Sequence, residues 1–547
     1  MARLRQPCDW ALVGGTVRTQ DPQAPAARAV ALAGDRIVAV GDNDEILELC
    51  DGSSRVVELN GALVLPGFMD SHFHFYETCF FRLGLDLSSV TGMEQLQQAV
   101  ARQAARLPAG QWIWGNGWFE PAWPDCRLPG RRDLDAVAPE HPVLLWRADL
   151  HLAVANSRAL EAAGIGQDTP NPGFGVIDRD GDRRPTGILR DLAINMVKKV
   201  MPRPESGKLE KALCELTSGL HACGITAVHD VHLMGGLDAP AALAFWQSAR
   251  DKGLLKLRCW TSLAGEQLSL AAALGLKTGF GGDRLRIGHL KYFGDGSMGA
   301  RTAWQLEPYR DGGTGMPLAD PRQLVEEIRK AHASGLAVMV HAIGDRTCRM
   351  VIEAFAGLEQ GAGCQRPALA HRIEHLQMVR RQDLDRLAGL NVVASVQPVN
   401  LADDIGMLEA ALGPLARRCY VFKEMAAAGI PLVFGSDHPV CSFDPLLGIE
   451  AAVERRNRQG LPEGGWYPDQ CLEVQEAIAA YTRTAAEAAG AGAWLGSITA
   501  GKKADLAVLD RDIGDGSGSI SDTRVLMTFF DGELVFPAAD ETFLSPE

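Results

Sequence analysis

Leu65-Pro66-Gly67-Phe68-Met69-Asp70-Ser71-His72-Phe73-His74 joins an apolar, strand-like run to two histidines set two positions apart. Residues i and i+2 of a strand point the same way, so both imidazoles can face one ion. Taken alone, such a pair arises by chance often enough to mean little. Its weight comes from the pattern of the remaining chain. Beyond Gly224 a strand-like run is repeatedly succeeded by an alanine- and leucine-rich helical stretch. The runs are Ile225–Asp230, Leu257–Ser262, Ile287–Phe293, Leu336–His341, Leu369–His375, Val392–Gln397 and Leu432–Asp437. This alternation predicts βα units and a parallel sheet. With Ala62–Phe68 as the first, the strands number eight, which closes a (β/α)8 barrel.

Metal-binding residue types recur at these strand ends. Besides His72 and His74 there are His341, His375 and Asp437, and Lys291 lies in the fourth run. A barrel directs the C-terminal ends of its strands to one rim, so residues hundreds of positions apart converge there. Several neutral imidazoles plus a carboxylate suit zinc or a similar borderline cation. A protonated amine cannot bind a cation, and a lysine entering a barrel mouth is costly unless paired or modified. The carbamate of Lys291 with CO2 would be an anionic oxygen ligand able to bridge two metals. A substrate-anchoring or ion-paired lysine is the plainer reading.

The rest of the chain is organised around this core. The length of 547 residues exceeds the roughly 250 a barrel needs. Residues 1–60 and 490–547 read as short strands and turns, and two β-rich ends suggest a discontinuous β-sandwich. Residues 81–214 separate the first two strands and are too long for a loop, which predicts an inserted cap. The barrel then takes 61–80 and 215–489. The cap holds Trp112, Trp114, Trp118 and Trp123. Composition is that of a well-cored protein, with 46% hydrophobic and 22% charged residues. The net charge of −14 argues against a sequence-independent nucleic-acid binder. No apolar run reaches the ~18–20 residues needed to span a bilayer, so no membrane association is expected. The N-terminus lacks an apolar signal core and the 12 cysteines form no CxxC pair, which reads as an unexported, cytoplasmic protein.

On these residues the sequence resembles the amidohydrolase superfamily, and within it the branch of large bacterial amidohydrolases that includes N-substituted formamide deformylase. The match runs from the Leu65–His74 segment through Lys291-Tyr292-Phe293-Gly294-Asp295-Gly296-Ser297, His341-Ala342-Ile343-Gly344-Asp345-Arg346 and His371-Arg372-Ile373-Glu374-His375. It continues through Gln397-Pro398 and Gly435-Ser436-Asp437 and ends in Gly501-Lys502-Lys503-Ala504-Asp505-Leu506. The resemblance implies an α/β fold: a distorted (β/α)8 TIM barrel, a β-sandwich from both chain ends and an inserted cap. It implies that His72 and His74 hold one divalent metal and His341 and His375 a second, zinc in each case. Asp437 would ligate the first and act as general base, with Lys291 carboxylated as the bridge. The sequence departs from the branch pattern at Asn400, His438 and Phe119, positions expected to line or adjoin the substrate pocket. Trp118, His151, Gln397, Asn400 and His438 are the expected substrate-binding residues.

The activity this implies is hydrolysis of a non-peptide C–N bond, a linear N-acyl or N-formyl amide, by a metal-activated hydroxide with Asp437 taking the proton. The partner is a small molecule, and a homodimer is compatible with the sequence. A mononuclear deaminase on the same fold is the alternative. Such enzymes commonly carry a glutamate three residues after the fifth-strand histidine, where this chain has Gly344 followed by Asp345. A nucleotide-binding reading rests on Gly294-Asp295-Gly296-Ser297-Met298-Gly299 and is weak, because Pro308 comes too soon for a long phosphate-binding helix. A non-catalytic scaffold would be expected to lack ligands, and none is missing. Asp345 and Arg346 are expected to pair, and strict alternation along the sixth strand points Glu374 out of the barrel.

Overall fold

The computed structural model describes residues 7–358, 366–516 and 518–537. Its centre is an eight-stranded parallel sheet: β1 (Phe68–Phe73), β2 (Ile225–Asp230), β3 (Arg258–Ala264), β4 (Leu285–Phe293), β5 (Val338–Ala342), β6 (His371–His375), β7 (Val392–Val396) and β8 (Leu432–Phe434). Each strand pairs in parallel with the next in sequence. The seam between β8 and β1 is closed by residues just beyond β8. Asp437 N donates to His72 O at 2.7 Å, and His74 N donates to His438 O at 2.9 Å. Gly435 makes this approach possible, since a Cβ there would lie 2.4 Å from the backbone nitrogen of His72. The barrel therefore closes through the segments that carry the candidate ligands.

The first barrel strand differs from its expected position. Leu63–Pro66, read from sequence as part of that strand, pairs antiparallel with Leu506–Leu509 in a separate six-stranded sheet. The chain passes from one sheet to the other at Gly67, whose amide donates to Asp505 O at 2.8 Å. Both runs are buried throughout, and the chain is apolar without a break from Leu63 across Gly67 to Met69, so hydrophobicity alone cannot divide them. The same six-stranded sheet takes in Thr16–Arg18 and Val525–Phe530. A four-stranded sheet of Arg36–Gly41, Ala29–Ala33, Trp10–Val13 and Arg55–Glu58 faces it, and the two bury Leu12, Val30, Val64, Leu506 and Phe529 in one cluster. Arg258, fully buried at the start of β3, ties the barrel to these terminal strands through Asp505 (Nε to Oδ2 2.8 Å, Nη2 to Oδ1 2.8 Å) and Asp531.

Between β1 and β2 the chain builds a six-stranded mixed sheet from Leu85–Asp86 to Pro185–Asp191. Its two faces carry separate apolar clusters, one around Trp118 and Leu145 and one around Trp146 and Leu189. The helix Ser206–Ala222 then returns to pack on β2. The expected boundary at residue 214 falls inside that helix. No helix among the described residues is long and apolar enough to cross a membrane.

Candidate metal centre

His72, His74, Lys291, His341, His375 and Asp437 line one cleft at the barrel rim. All six are buried. His72 is the last inward residue of β1, and His74 opens the helix Phe75–Phe81. The His72 Nδ1 lies 2.5 Å from Glu374 Oε2, and the His74 Nδ1 lies 2.6 Å from the carbonyl of Val231. A carboxylate and a carbonyl only accept, so both Nδ1 atoms carry the proton and both Nε2 atoms present lone pairs. Those Nε2 atoms face Asp437 Oδ1 at 3.3 and 2.9 Å. His341 has Nε2 at 3.2 Å from the carbonyl of Gly296, which leaves its Nδ1 lone pair free. The rings of His341 and His375 stand 4.4 Å apart, and those of His72 and His375 5.1 Å apart.

This geometry fits a cation. Imidazole lone pairs set against a carboxylate oxygen repel unless a positive charge lies between them. His72 Nε2 and Lys291 Nζ are buried without hydrogen-bond partners. One ligand atom each from His72, His375 and Asp437 lies within 4.8 Å of the others. Burial, aided by the charge of Lys291, holds His72 well below its ordinary pKa. Burial, then neighbouring imidazoles and Lys291, does the same for His341 and His375. All three are neutral at pH 7, as metal ligation requires. Burial works against the Asp437 carboxylate; positive charge placed at His72, His74 and Lys291 outweighs it and brings the group down to about 2, and with the His72 imidazole neutral a bound cation would supply that charge. Burial lowers Lys291 to about 8, with Glu374 and Asp437 opposing.

Glu374 is not directed out of the barrel. It is fully buried, bonded to His72 and paired with Arg372, whose Nε lies 2.9 Å from Oε1. Alternation places Arg372 and Glu374 on the inner face of β6, and His375 reaches the rim because it leaves the strand at φ +70°. The sequence carries no mark of that turn. Asp295, which no motif singles out for its carboxylate, also serves the site. It accepts from the amides of Ile343, Gly344 and Trp304, and so shapes the loop after His341. The glycine motif around it is succeeded by no helix until Pro321, which removes the nucleotide-binding reading. Asp345 pairs with Arg380 at 2.8 Å, and Arg346 lies over the Trp304 ring, so the expected Asp345–Arg346 pair does not form. With its carboxylate held by Arg380 and the Leu306 amide, Asp345 lends no support to a deaminase proton shuttle.

Of the five expected substrate-binding residues, only His151 lines the cleft. It comes from the inserted sheet, its ring 5.6 Å from that of His341 and its Nδ1 2.8 Å from Asp191 Oδ1. Burial disfavours its protonated form, but Asp191 outweighs this and raises its pKa. Trp118 is instead a core residue of the insertion, fully buried with Nε1 donating to the carbonyl of Leu145. Trp118→Ala is therefore expected to cost about 3–5 kcal/mol of stability and to leave KM of the folded enzyme unchanged. Denaturant unfolding beside steady-state kinetics checks this. Gln397 bonds to the carbonyl of Ser395, Asn400 sits in the helix Pro398–Leu412, and His438 turns to Cys441 O at 2.8 Å between Phe73 and Phe443. None of these three lines the cleft.

Fold and rim together define an α/β-barrel enzyme whose chemistry sits at the C-terminal ends of its strands. The chain belongs to the Amidohydrolase family, whose sequence pattern matches residues 55–536, and it is a hydrolase acting on carbon–nitrogen bonds. It is 31% identical over 503 residues to the putative amidohydrolase YtcJ of Bacillus subtilis (strain 168), covering 91% of this chain and 94% of that protein. It is 28% identical over 549 residues to the N-substituted formamide deformylase of Arthrobacter pascens, covering 97% and 99%. An uncharacterized metal-dependent hydrolase from Pyrococcus horikoshii OT3 is similar in structure, with a TM-score of 0.75 at 27% identity over 94% of this chain and 99% of that one.

Proposed function

We propose that this chain hydrolyses a linear amide of the N-acyl or N-formyl type, using two divalent cations of the zinc kind. His72, His74 and Asp437 would hold one and His341 and His375 the other, with a carboxylated Lys291 between them. The observation that carries the reading is the set of imidazole lone pairs turned onto Asp437, beside a buried amine without a partner. Such cations, when bound, lower the pKa of water towards about 7 and polarise a carbonyl. The chain's own groups do the rest. Asp437, ionised at neutral pH, takes a proton at Oδ from the attacking water and delivers it to the departing nitrogen. His151, steadied by Asp191, faces the substrate from the opposite wall. Trp146, Leu150 and Ile194 give that wall an apolar surface suited to a hydrophobic substituent. In this reading the two terminal sheets form one β-sandwich, and the insertion is a cap that selects the substrate.

Metal analysis of the purified protein beside a panel of N-formyl and N-acyl amines tests this. The expected result is about two ions per chain with loss of hydrolysis on chelation. A metal-free protein that cleaves none of the panel overturns the reading. One ion with ammonia release from an amino-substituted ring selects the deaminase instead.

A further inference from the structure

A second cavity adjoins the first. The two share Leu233, Met234, Phe293 and Lys291, so a thin partition separates them and Lys291 borders both. The rear wall is largely apolar, including Leu192, Ala264, Leu318 and Ala319, with His232 and Tyr292 contributing buried polar atoms. Its exposed lining residues are Gly235 and Glu266, which mark the mouth. At the inner end stands Lys291, only 3% exposed and with no partner for Nζ.

We propose that this rear cavity is the route by which CO2 reaches Lys291, separate from the cleft that admits the substrate. The inference rests on the carboxylation of Lys291 in the proposed function. An apolar passage leading to a solitary amine suits a small, uncharged, apolar molecule. The carboxylate of Glu266 at the mouth disfavours bicarbonate and leaves neutral CO2 unhindered. The front cleft presents Asp149, Asp191 and Lys198, a polar surface made for a larger ligand. In the reaction the neutral Nζ lone pair bonds to the carbon of CO2, one N–H proton leaves to water, and the product is the carbamate anion. No oxidant or reductant is involved. A rear route also lets the carbamate re-form while substrate fills the cleft.

NMR detection of the carbamate carbon itself tests the route. Full-length protein is stripped of metal under CO2-free conditions, then given isotope-labelled bicarbonate and zinc. Wild type is expected to develop a carbamate resonance. Ala319→Trp, which fills the rear cavity alone, is expected to slow its appearance about ten-fold. Val440→Trp, which obstructs only the front cleft, is expected to leave the rate unchanged. Xenon pressed into wild-type crystals gives a reading free of substitutions and is expected beside Leu318 and Ala319. Equal rates in wild type and Ala319→Trp, slowing confined to Val440→Trp, or no xenon in the cavity each overturn the route while the carbamate stands. A wild type that never shows the resonance removes the carboxylation of Lys291 and the route together.

Discussion

Asp437→Asn is expected to lower kcat by roughly a hundred- to ten-thousand-fold while the protein remains folded. The substitution is chosen for its backbone as much as for its charge. Asp437 sits at φ +60°, where asparagine is as well tolerated as aspartate and most residues are not. Its amide closes the barrel on His72 O, and that bond survives the change. What disappears is a carboxylate able to take a proton, at the point where His72 and His74 converge. Metal content measured with kcat separates the two duties of the side chain. Retained metal with lost turnover is the expected pattern. Full activity in this variant would mean that another group removes the proton.

How far the sequence speaks depends on whether the chain stays in a regular element. Inside the strands it speaks clearly. Period and spacing locate β2 to β8, and residue type locates Lys291 and His341 on them and His72 on β1. It fails where one apolar run feeds two sheets, as at Gly67, because the sheet boundary is set by pairing with Leu506–Leu509 and not by hydrophobicity. It fails again where a strand ends in a left-handed residue. His375 at φ +70° breaks the alternation that would have turned Glu374 outward. The far wall of the cleft is hardest to read. Asp191 and Lys198 reach it from the insertion through tertiary packing, and Trp118 looks the same in sequence whether it faces a ligand or a core. Gln397 and His438 lie close to the rim along the chain, yet local bonds and ring packing turn them from the cleft.

Glu374 is the residue whose role differs most between sequence and structure, and Glu374→Gln should show it. The carboxylate accepts from His72 Nδ1 and from Arg372 and has no exposure to solvent. Burial pushes its pKa up, but the charges of Arg372 and Lys291 outweigh this and hold it below the usual carboxylate range. It therefore carries a negative charge that offsets a buried guanidinium and fixes the ring of a metal ligand. Glutamine keeps the shape and one acceptor but loses the charge. Leaving Arg372 uncompensated is expected to cost about 3–5 kcal/mol, read as a fall in the urea midpoint. Releasing the His72 ring is expected to weaken metal binding by roughly 10–100-fold, read by competition with a chelating dye. The double change Arg372→Met with Glu374→Leu separates the two effects. It removes both buried charges, so the part of the loss due to an uncompensated guanidinium should return, while Ser71 O, His229 Nδ1 and Ser395 Oγ lose the Arg372 donor and keep recovery partial. Metal affinity should stay low, because nothing then holds the His72 proton on Nδ1. If affinity recovered along with stability, Glu374 would be a structural ion pair that merely lies beside the metal centre.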